Sequence, residues 1–485
     1  MERGASGDPL MTPQGRAARP RTGPTVVTGA PAVGSGVAFA AWSAAFAVGA
    51  LIHLWQGWSF GPLTAVAAFA VLLRPASPAR LMGLLGLLLA EVVASMPDVS
   101  NHQIPVAVLG LTVIPWWLVL RWRSPAAAND PALLYAQVAP YLRVAFVVTW
   151  LVAALSKLNS GFFDPAGTCS VWILESIPGV SVPPLLAPAV IGGAVAVELA
   201  IPLLLLAPRT RPLAVLLGLG FHLVSAFAGH STYSGFAWSF YLLFLPPTTI
   251  ARAVVLARKA VPQRVRAVLA ATAHAWPTLL VLGVAWWLGH TLMPESLQSP
   301  ARNWGAALVC TAWMCWCGWL LFRIRRHWLH APGPRLSMRV HNPLMLVGIA
   351  LLVSTAAMPY LGLKSQAALT MFSNLRTEPG HWNHLLVPEA VRIFGWQDGE
   401  VRYLGSDDPA LDAKIAANGR DHTVLLDLRL LVDEFPNATV RYTLDGIQRV
   451  AAPLATDPVL GAPTSATQEW FAAMRPYTDG DTCQQ

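Results

Sequence analysis

Charged side chains are scarce in this chain of 485 residues: they make up 12% of it, whereas 55% of the residues are apolar. A soluble domain carries about 25% charged residues, so the composition excludes an ordinary soluble protein and predicts an integral membrane protein. Acidic residues are scarcest in the first 361 residues, which hold 9 of them against 23 lysines and arginines, a formal charge of +14. Phospholipid headgroups are sufficient partners for such a basic membrane part, and no nucleic acid is needed to explain it.

Cysteine is also rare, and the five cysteines form neither a CxxC pair nor a Cys/His spacing typical of a metal site. Cys310, Cys315 and Cys317 lie in one apolar stretch and are predicted to be packing residues. Cys169 and Cys483 lie in polar segments, and they could form a disulfide if both face an oxidising compartment.

The sequence is dominated by apolar runs that are long enough to cross a bilayer. A helical span needs about 20 mostly apolar residues. The sequence predicts an all-α polytopic membrane bundle of about eleven transmembrane helices over residues 33–361. The candidate spans are 33–54, 59–73, 80–96, 104–120, 138–158, 186–207, 212–229, 235–251, 268–292, 304–322 and 343–361.

The orientation of this bundle follows from the loops between the spans. Alternate loops, together with the N-terminal tail, carry 20 lysines and arginines, and the opposite loops carry one, Arg302. Because positive charge favours the cytoplasmic side, this partition predicts a multi-pass protein of the plasma membrane with its N-terminus inside. Residues 1–32 are rich in Gly, Pro and Arg and predict a disordered cytoplasmic tail, with no removable signal peptide.

The segment 362–485 differs in charge from the rest, with 10 basic and 16 acidic residues. The orientation places it outside the cell as a small extracytoplasmic α+β domain. Two hairpins with Asp-Gly turns are predicted, in VRIFGWQDGEVRYLG (391–405) and in ATVRYTLDGIQRVAA (438–452), and ALDAKIAAN (410–418) and TQEWFAAM (467–474) are predicted helices.

Lysine is rarer than arginine, with 4 against 29, and Lys157 ends the fifth span on the side that is otherwise almost free of positive charge. A lysine at the end of a span ordinarily reaches to the interface as an anchor. Arginine cannot lose its proton, whereas burial disfavours the charged form of a lysine, so Lys157 could instead be a general base. Both interpretations remain open from the residues alone.

Other polar residues cluster in the outer half of the predicted bundle, where buried charge is costly and needs an explanation. For each of them a structural role is a real alternative: a satisfied core histidine at His222, a solvent-facing loop residue at His102, a helix-packing partner at Glu198. Arg143 is predicted to anchor lipid headgroups. His381 and His384 have a spacing that could hold a metal, but no third ligand is apparent. The candidate site residues are Asn101, His102, Lys157, Asn159, Glu198 and His222.

Several stretches that contain these residues resemble those of one family. SKLNSGFFDP (156–165) resembles the Lys-Leu-Asp/Asn segment of the vitamin K-dependent γ-carboxylases and their bacterial relatives, the horizontally transferred transmembrane (HTTM) proteins. The Asn-His of NHQIPVAVLGL (101–111), the single acid of GGAVAVELAIPLLLL (192–206) and the Phe-His of GFHLVSAF (220–227) are similar to further family segments. MFSNLRTEPGHWNHLL (371–386) is similar to a stretch after the last span of the HTTM proteins.

The resemblance implies a function for these residues. In the carboxylases, the matching lysine is the base on a reduced vitamin K bound in the membrane, and its oxygenation leads to proton removal from glutamate and addition of carbon dioxide. Carried over, Lys157 would be the base on a reduced quinone of the menaquinone or vitamin K type and His102 its helper. Asn101, Asn159, Glu198 and His222 would line the site.

Two departures limit what is implied. The chain lacks the long lumenal portion with which the carboxylases hold their substrate, and Ser225 stands where they have a more polar amide. We therefore expect a quinol-linked membrane enzyme without an implied glutamate substrate. The alternative is a non-catalytic membrane scaffold or transporter, in which Glu198 and His222 fix helices or carry protons.

Overall fold

The structure is a computed structural model, and it describes residues 31–54, 60–260, 262–264, 267, 276–291, 295–325, 336–417, 421–476 and 483. The predicted tail therefore lies outside the described residues, except for 31 and 32. In the described part, helices dominate up to residue 357 and a small sheet follows. The helices of this first part are α1 (Ser35–Leu54), α2 (Gly61–Leu73), α3 (Pro78–Ala94), α4 (Gln103–Arg123), α5 (Pro125–Asn129), α6 (Pro131–Ser156), α7 (Ser160–Phe163), α8 (Cys169–Glu175), α9 (Ala187–Leu206), α10 (Arg211–Phe227), α11 (Ser231–Leu242), α12 (Pro247–Ala260), α13 (Trp276–Thr291), α14 (Glu295–Arg323) and α15 (Pro343–Ala357).

Four helical stretches in the described residues are long and apolar enough to cross a membrane: Ser35–His53, Gln103–Arg123, Pro131–Ser156 and Pro184–Leu206. Shorter apolar helices cover Gly61–Leu73, Arg211–Phe227, Ala307–Arg323 and Pro343–Ala357. Apolar runs favour helices in lipid because a helix satisfies its backbone hydrogen bonds within the segment. The membrane class predicted from composition thus agrees with the fold.

The span predicted over 235–251 is not a single helix. α11 ends at Leu242 and α12 begins at Pro247, and the two differ in direction by 116°. Pro246 and Pro247 have no backbone N–H to continue the helical hydrogen bonds. At the break, Arg143 Nε donates to the Leu243 carbonyl at 2.7 Å. Arg143 is buried among carbonyl partners, so its predicted role as a headgroup anchor is wrong.

Two glycines allow the backbones of α1 and α11 to approach closely. A Cβ on Gly49 would lie 2.8 Å from the Gly235 carbonyl group, a distance that atoms do not tolerate. Small residues let membrane helices approach closely enough for extensive van der Waals packing. This crossing holds Phe46 against Phe236, with ring centroids 5.1 Å apart. It also brings the end of α1 beside the start of α4.

The C-terminal part contains a four-stranded antiparallel sheet of β1 (Glu400–Ser406), β2 (His422–Val424), β3 (Val440–Leu444) and β4 (Ile447–Ala451), in the order β2-β1-β3-β4. Helices cover Pro409–Ala417, Leu425–Arg429 and Ala466–Phe471. The second predicted hairpin is confirmed, because Asp445 and Gly446 both have the positive φ angles that a two-residue type I′ turn requires. The two predicted helices are confirmed as well, over Pro409–Ala417 and Ala466–Phe471.

The first predicted hairpin is wrong. Residues 391–397 form no strand, and β1 pairs with β2 and β3 instead. The N–H groups of Ile393 and Phe394 donate to the Leu361 carbonyl, just beyond the end of α15. The segment is therefore fastened to the helical bundle, and this tertiary contact replaces the local strand pairing that the Asp-Gly sequence favours.

Two of the five cysteines form a disulfide. Cys169, at the start of α8, forms a disulfide with Cys483 near the end of the chain. Cys169 is fully buried against Phe162, Ile191 and Val195. The disulfide predicted as one alternative is thus present, and it ties the C-terminal segment to the loop region between α6 and α9.

Candidate functional site

The site begins where α6 ends. Lys157 closes α6 as its C-terminal cap, and the chain then turns into the short helix α7. Asn159 caps α7 by accepting from the Phe162 N–H, and its side-chain amide donates to the carbonyls of Ser156 and Ser373. With both ends of its amide occupied, Asn159 fixes the backbone beside Lys157 and does not line the cavity described below.

Lys157 and Glu198 form an ion pair between α6 and α9. Lys157 Nζ lies 2.8 Å from Glu198 Oε2, and each side chain is less than 10% exposed. The Lys157 amine also donates to the Met371 carbonyl at 3.2 Å and to the Ala153 carbonyl at 3.5 Å. Three acceptors match the three N–H groups of an ammonium. If Glu198 carried the proton of the pair instead, the amine of Lys157 would be neutral. Its lone pair could then accept a proton.

This pair lies in the wall of a cavity of about 260 Å³. Among the residues predicted for the site, the structure brings five to this cavity: Asn101, His102, Lys157, Glu198 and His222. They come from α4, α6, α9 and α10 or from the residues that flank these helices, far apart in sequence. Asn159 is the one predicted residue that the structure places behind the wall.

His102 has a partner that sequence reasoning missed. Its Nε2 lies 3.2 Å from Nδ1 of His53, in the last turn of α1, and both rings are buried. Burial lowers the pKa of His102 to about 4, so the ring is neutral at pH 7. One of the two facing nitrogens must carry a hydrogen and the other a lone pair, so the pair holds His102 in a defined tautomer. In the sequence, His53 is recognisable as a single histidine at the end of an apolar run.

A second group of rings surrounds His222. Its Nδ1 is 3.5 Å from the Ser234 hydroxyl, and the rings of Trp150, Phe221 and Tyr233 pack within 5.5 Å of it, centroid to centroid. α10 ends at Phe227, so His230 is not on the same helix as His222, yet it lines the same cavity. Burial lowers the pKa of His230 to about 4.

Two imidazole nitrogens in this wall have no hydrogen-bond partner among the described residues. They are Nε2 of His222 and Nε2 of His230, and both atoms are buried. Buried polar atoms are nearly always hydrogen-bonded, to protein or to another molecule. Their position beside a cavity indicates that a polar ligand or water completes them.

One side of the cavity is formed by a loop with an unusual backbone, the lining loop (residues 364–374). It contributes Leu369, Met371 and Phe372 to the wall. Ala367, Leu369 and Phe372 have positive φ angles of 52°, 60° and 52°, which cost non-glycine residues about 1–2 kcal/mol each. Such strain persists where the surroundings enforce it and is frequent at functional sites.

The surroundings that enforce this backbone are polar contacts. Asn101 Oδ1 accepts from the Thr370 N–H at 3.2 Å. The buried Arg475 donates to the carbonyls of Thr370 and Leu375, and its backbone N–H donates to the Ser365 hydroxyl. A residue from near the C-terminus therefore shapes the cavity wall, which no local sequence pattern indicates.

His381 and His384, the two histidines whose spacing could hold a metal, contact different residues. His381 Nε2 pairs with Glu400 Oε2 at 3.2 Å, and His384 Nε2 contacts the Leu155 carbonyl at 3.1 Å. In the part of the chain that the structure describes, no group of three or more His, Cys, Asp or Glu residues has the arrangement of a metal site.

The cavity thus combines one buried ion pair, three neutral or unpaired imidazoles and aromatic walls. Such a site can bind a ligand with a flat apolar body and hydroxyl or carbonyl groups, and it can exchange a proton with that ligand. No protein-family model, curated protein or solved structure matches the chain, so the resemblance seen in its sequence stays a prediction.

Proposed function

We propose that this protein is a membrane enzyme that binds a reduced quinone of the menaquinone or vitamin K type, with Lys157 as general base. The observation that carries the proposal is the buried Lys157–Glu198 pair in the wall of a cavity whose other polar atoms include two unpaired imidazole nitrogens. A buried ionisable pair in the wall of a largely apolar cavity is a strong candidate for a reactive site.

The residues fit such a ligand in size and chemistry. A cavity of about 260 Å³ is near the lower end of ligand sites and suits a fused aromatic headgroup without its long tail. Trp150, Phe221 and Phe372 offer ring surfaces. His222 and His230 offer nitrogens for ring oxygens. Asn101 also lines the cavity, and its side-chain NH₂ offers a donor to the same oxygens.

The proton chemistry resides in the pair. A reduced quinone, when bound, supplies hydroxyl protons and a ring that can be oxidised. Lys157 and Glu198 hold one proton between them, on either the amine or the carboxyl group. When Glu198 holds that proton, the lone pair of Lys157 Nζ accepts a second one from a hydroxyl at the cavity wall. His102, fixed by His53, helps to orient that hydroxyl.

The proposal includes the finer topology. Eleven spans with a cytoplasmic N-terminus would place the cavity near the outer face of the plasma membrane and the C-terminal domain outside the cell. Supporting this arrangement, a described helix overlaps each predicted span, and the one over 235–251 is broken after α11. The disulfide supports it as well, since disulfides persist in oxidising compartments.

A test compares wild type with Lys157→Arg in the full-length protein. Arginine keeps the charge for Glu198 but cannot be deprotonated in proteins. Menadiol is added to detergent-purified protein at pH 7, and its deprotonation is followed by absorbance. We expect wild type to deprotonate bound menadiol and Lys157→Arg to bind it without deprotonation. Lys414→Arg, at an exposed lysine paired with Glu434, is the matched control and should behave as wild type.

Each result has a distinct meaning. Full deprotonation by Lys157→Arg would exclude Lys157 as the base. If wild type neither binds menadiol nor yields a quinone on lipid extraction, the ligand class is wrong. The scaffold alternative is favoured by one observation, namely that the two charges satisfy each other between two helices. It would be preferred if no ligand is found and the pair contributes to stability alone.

A further inference from the structure

A short apolar segment of the C-terminal part lies on the protein surface, and we call it the apolar segment (residues 384–394). It contains five large apolar side chains that are more than a third exposed: Leu385, Leu386, Val391, Ile393 and Phe394. Leu386 is 68% exposed and Ile393 is 73% exposed. Charge is sparse here, with Glu389 and Arg392 opposing each other in sign. Contiguous exposed apolar side chains of this size mark a surface that contacts something other than water.

The backbone of the apolar segment is fastened to the ends of two apolar helices. The Leu385 N–H donates to the Leu158 carbonyl at 2.9 Å, next to the end of α6. His384 Nε2 contacts the Leu155 carbonyl in the last turn of α6 at 3.1 Å. The N–H groups of Ile393 and Phe394 donate to the Leu361 carbonyl, just after α15. Both ends of the segment are thus held at the level where these helices end.

The apolar surface continues from the segment onto the bundle. Leu155 on the last turn of α6 is exposed, and so are Leu185 and Leu186 at the start of the span Pro184–Leu206. α6 and α9 pack together, so Leu155 and the start of this span belong to neighbouring helices. On a membrane protein, such side chains face lipid.

Aromatic side chains accompany this surface. Trp382 donates its indole N–H to the Val387 carbonyl at 2.7 Å, and its ring contacts that of Tyr360. Tyr360 in turn packs edge-on against His384. Trp and Tyr are enriched at the boundary between lipid and water because one end of each ring is apolar and the other polar.

We propose that the apolar segment is embedded in the membrane interface, with lipid acyl chains as its partner. The continuity with the lipid-facing helix ends, the low charge and the flanking aromatic residues all match a segment that lies in the plane of the interface. It holds the C-terminal domain against the bilayer. It also fixes the depth of Lys157, whose neighbour Leu158 accepts a hydrogen bond from the segment. The proposal needs a membrane-spanning bundle and does not depend on quinone binding.

The test measures contact with lipid directly. Leu386→Cys and Ile393→Cys are made separately in the full chain, labelled with an NBD maleimide and reconstituted in phosphatidylcholine nanodiscs. The matched control is Ile447→Cys, on the edge strand β4, since Ile447 is 61% exposed but has no tie to a helix end. The disulfide is unreactive to the label, and the free cysteines are first replaced by alanine: Cys310, Cys315 and Cys317.

We expect the labels at 386 and 393 to show blue-shifted emission and strong quenching by phosphatidylcholine with a doxyl group on the acyl chain. The label at 447 should be quenched by aqueous iodide instead. Iodide quenching at all three positions would overturn the proposal, because the segment would then face water. Protection from both quenchers at 386 and 393 would overturn it too, since a protein partner would cover the segment. Two positions keep the test valid if one variant fails to fold.

Discussion

At the scale of single residues, the main energetic feature of the site is the contact between Lys157 and Glu198. Removing a charge from water is costly, and a buried pair recovers this cost only through its mutual attraction and hydrogen bonds. Lys157 has Glu198 and two carbonyls as partners, so the buried ammonium is well compensated. The loss of one member therefore matters more than the loss of both.

This asymmetry gives a stability prediction. Glu198→Leu leaves a buried ammonium without its carboxylate, and we expect it to lower the free energy of unfolding by about 3–5 kcal/mol. The double variant Lys157→Met/Glu198→Leu should lie within about 1 kcal/mol of wild type, because no charge remains buried. Unfolding in detergent micelles measures both. Equal losses in the single and the double variant would show that the unpaired ammonium of Lys157 is not the cause of the loss.

Lys364 is a second buried amine, and no carboxylate of the described residues forms an ion pair with it. Its Nζ has no hydrogen-bond partner among the described residues and lies 4.0 Å from the centroid of the Phe471 ring. Burial lowers the pKa of Lys364 to about 8, below the value near 10.4 expected in the unfolded chain. The folded state therefore loses its proton first, and stability should rise as the pH increases from about 8 to 10.

The variant Lys364→Met tests this. Methionine fills similar space without a charge, so we expect it to stabilise the protein at pH 7 by about 1–3 kcal/mol and to abolish the rise above pH 8. Thermal unfolding at pH 7, 8, 9 and 10 measures the effect. Lys414→Met, at an exposed lysine, is the control and should leave the rise in place. A rise of the same size in Lys364→Met would assign it to another group.

Among the elements of the C-terminal part, β1 and β2 are joined by a carboxylate between two histidines. Glu400 on β1 accepts from His422 on β2 and from His381, which precedes the sheet. Partial burial raises the pKa of Glu400, but the hydrogen bonds from His381 and His422 outweigh it and lower the pKa below its ordinary value. The carboxylate form thus fastens the segment before the sheet to its first two strands.

The sign of this shift predicts an acid-dependent loss of stability. A carboxyl with a lowered pKa stabilises the fold above its unfolded pKa of about 4.3, and this contribution disappears as the pH falls through the folded value. We expect Glu400→Gln to be less stable than wild type at pH 7 and equal to it near pH 3. Hydrogen exchange of β1 and β2 amides reports the difference locally. A gap that stays constant down to pH 3 would refute the role of the carboxylate.

At the scale of the whole molecule, the disulfide connects parts that are 314 residues apart. The C-terminal stretch between the sheet and Cys483 passes the lining loop, where Arg475 binds the Thr370 and Leu375 carbonyls. The disulfide and Arg475 together hold the wall of the cavity that contains Met371 and Phe372.

Removal of the disulfide should therefore affect stability and the cavity together. Cys169→Ser/Cys483→Ser should cost about 2–5 kcal/mol of unfolding free energy, as expected for a tie that closes a long loop. Menadiol binding should weaken in the same variant, and reductant should reproduce both effects in wild type but leave the variant unchanged. Unchanged unfolding of wild type with reductant would show that the disulfide does not stabilise the fold.

Much of the architecture follows from local sequence. Apolar runs such as 104–120 and 138–158 become helices because a helix alone satisfies the backbone of an apolar segment. The hairpin at Asp445–Gly446 follows from its two turn residues. The loops on the side of the predicted bundle where Lys157 lies carry almost no positive charge, and this pattern alone identifies Lys157 as a candidate site residue. Composition by itself determined the membrane class.

The tertiary structure decided which residues meet. No local pattern pairs Lys157 with Glu198, His102 with His53 or Arg143 with the Leu243 carbonyl, because each contact depends on which helices lie side by side. Residues 391–397 leave their predicted strand because hydrogen bonds to Leu361 outweigh local β preference. The sequence alone determined which segments are helices and which residues carry the polar chemistry, since backbone hydrogen bonding is local. Packing of the helices determined the geometry of the cavity, since side-chain contacts join residues that are far apart in the sequence.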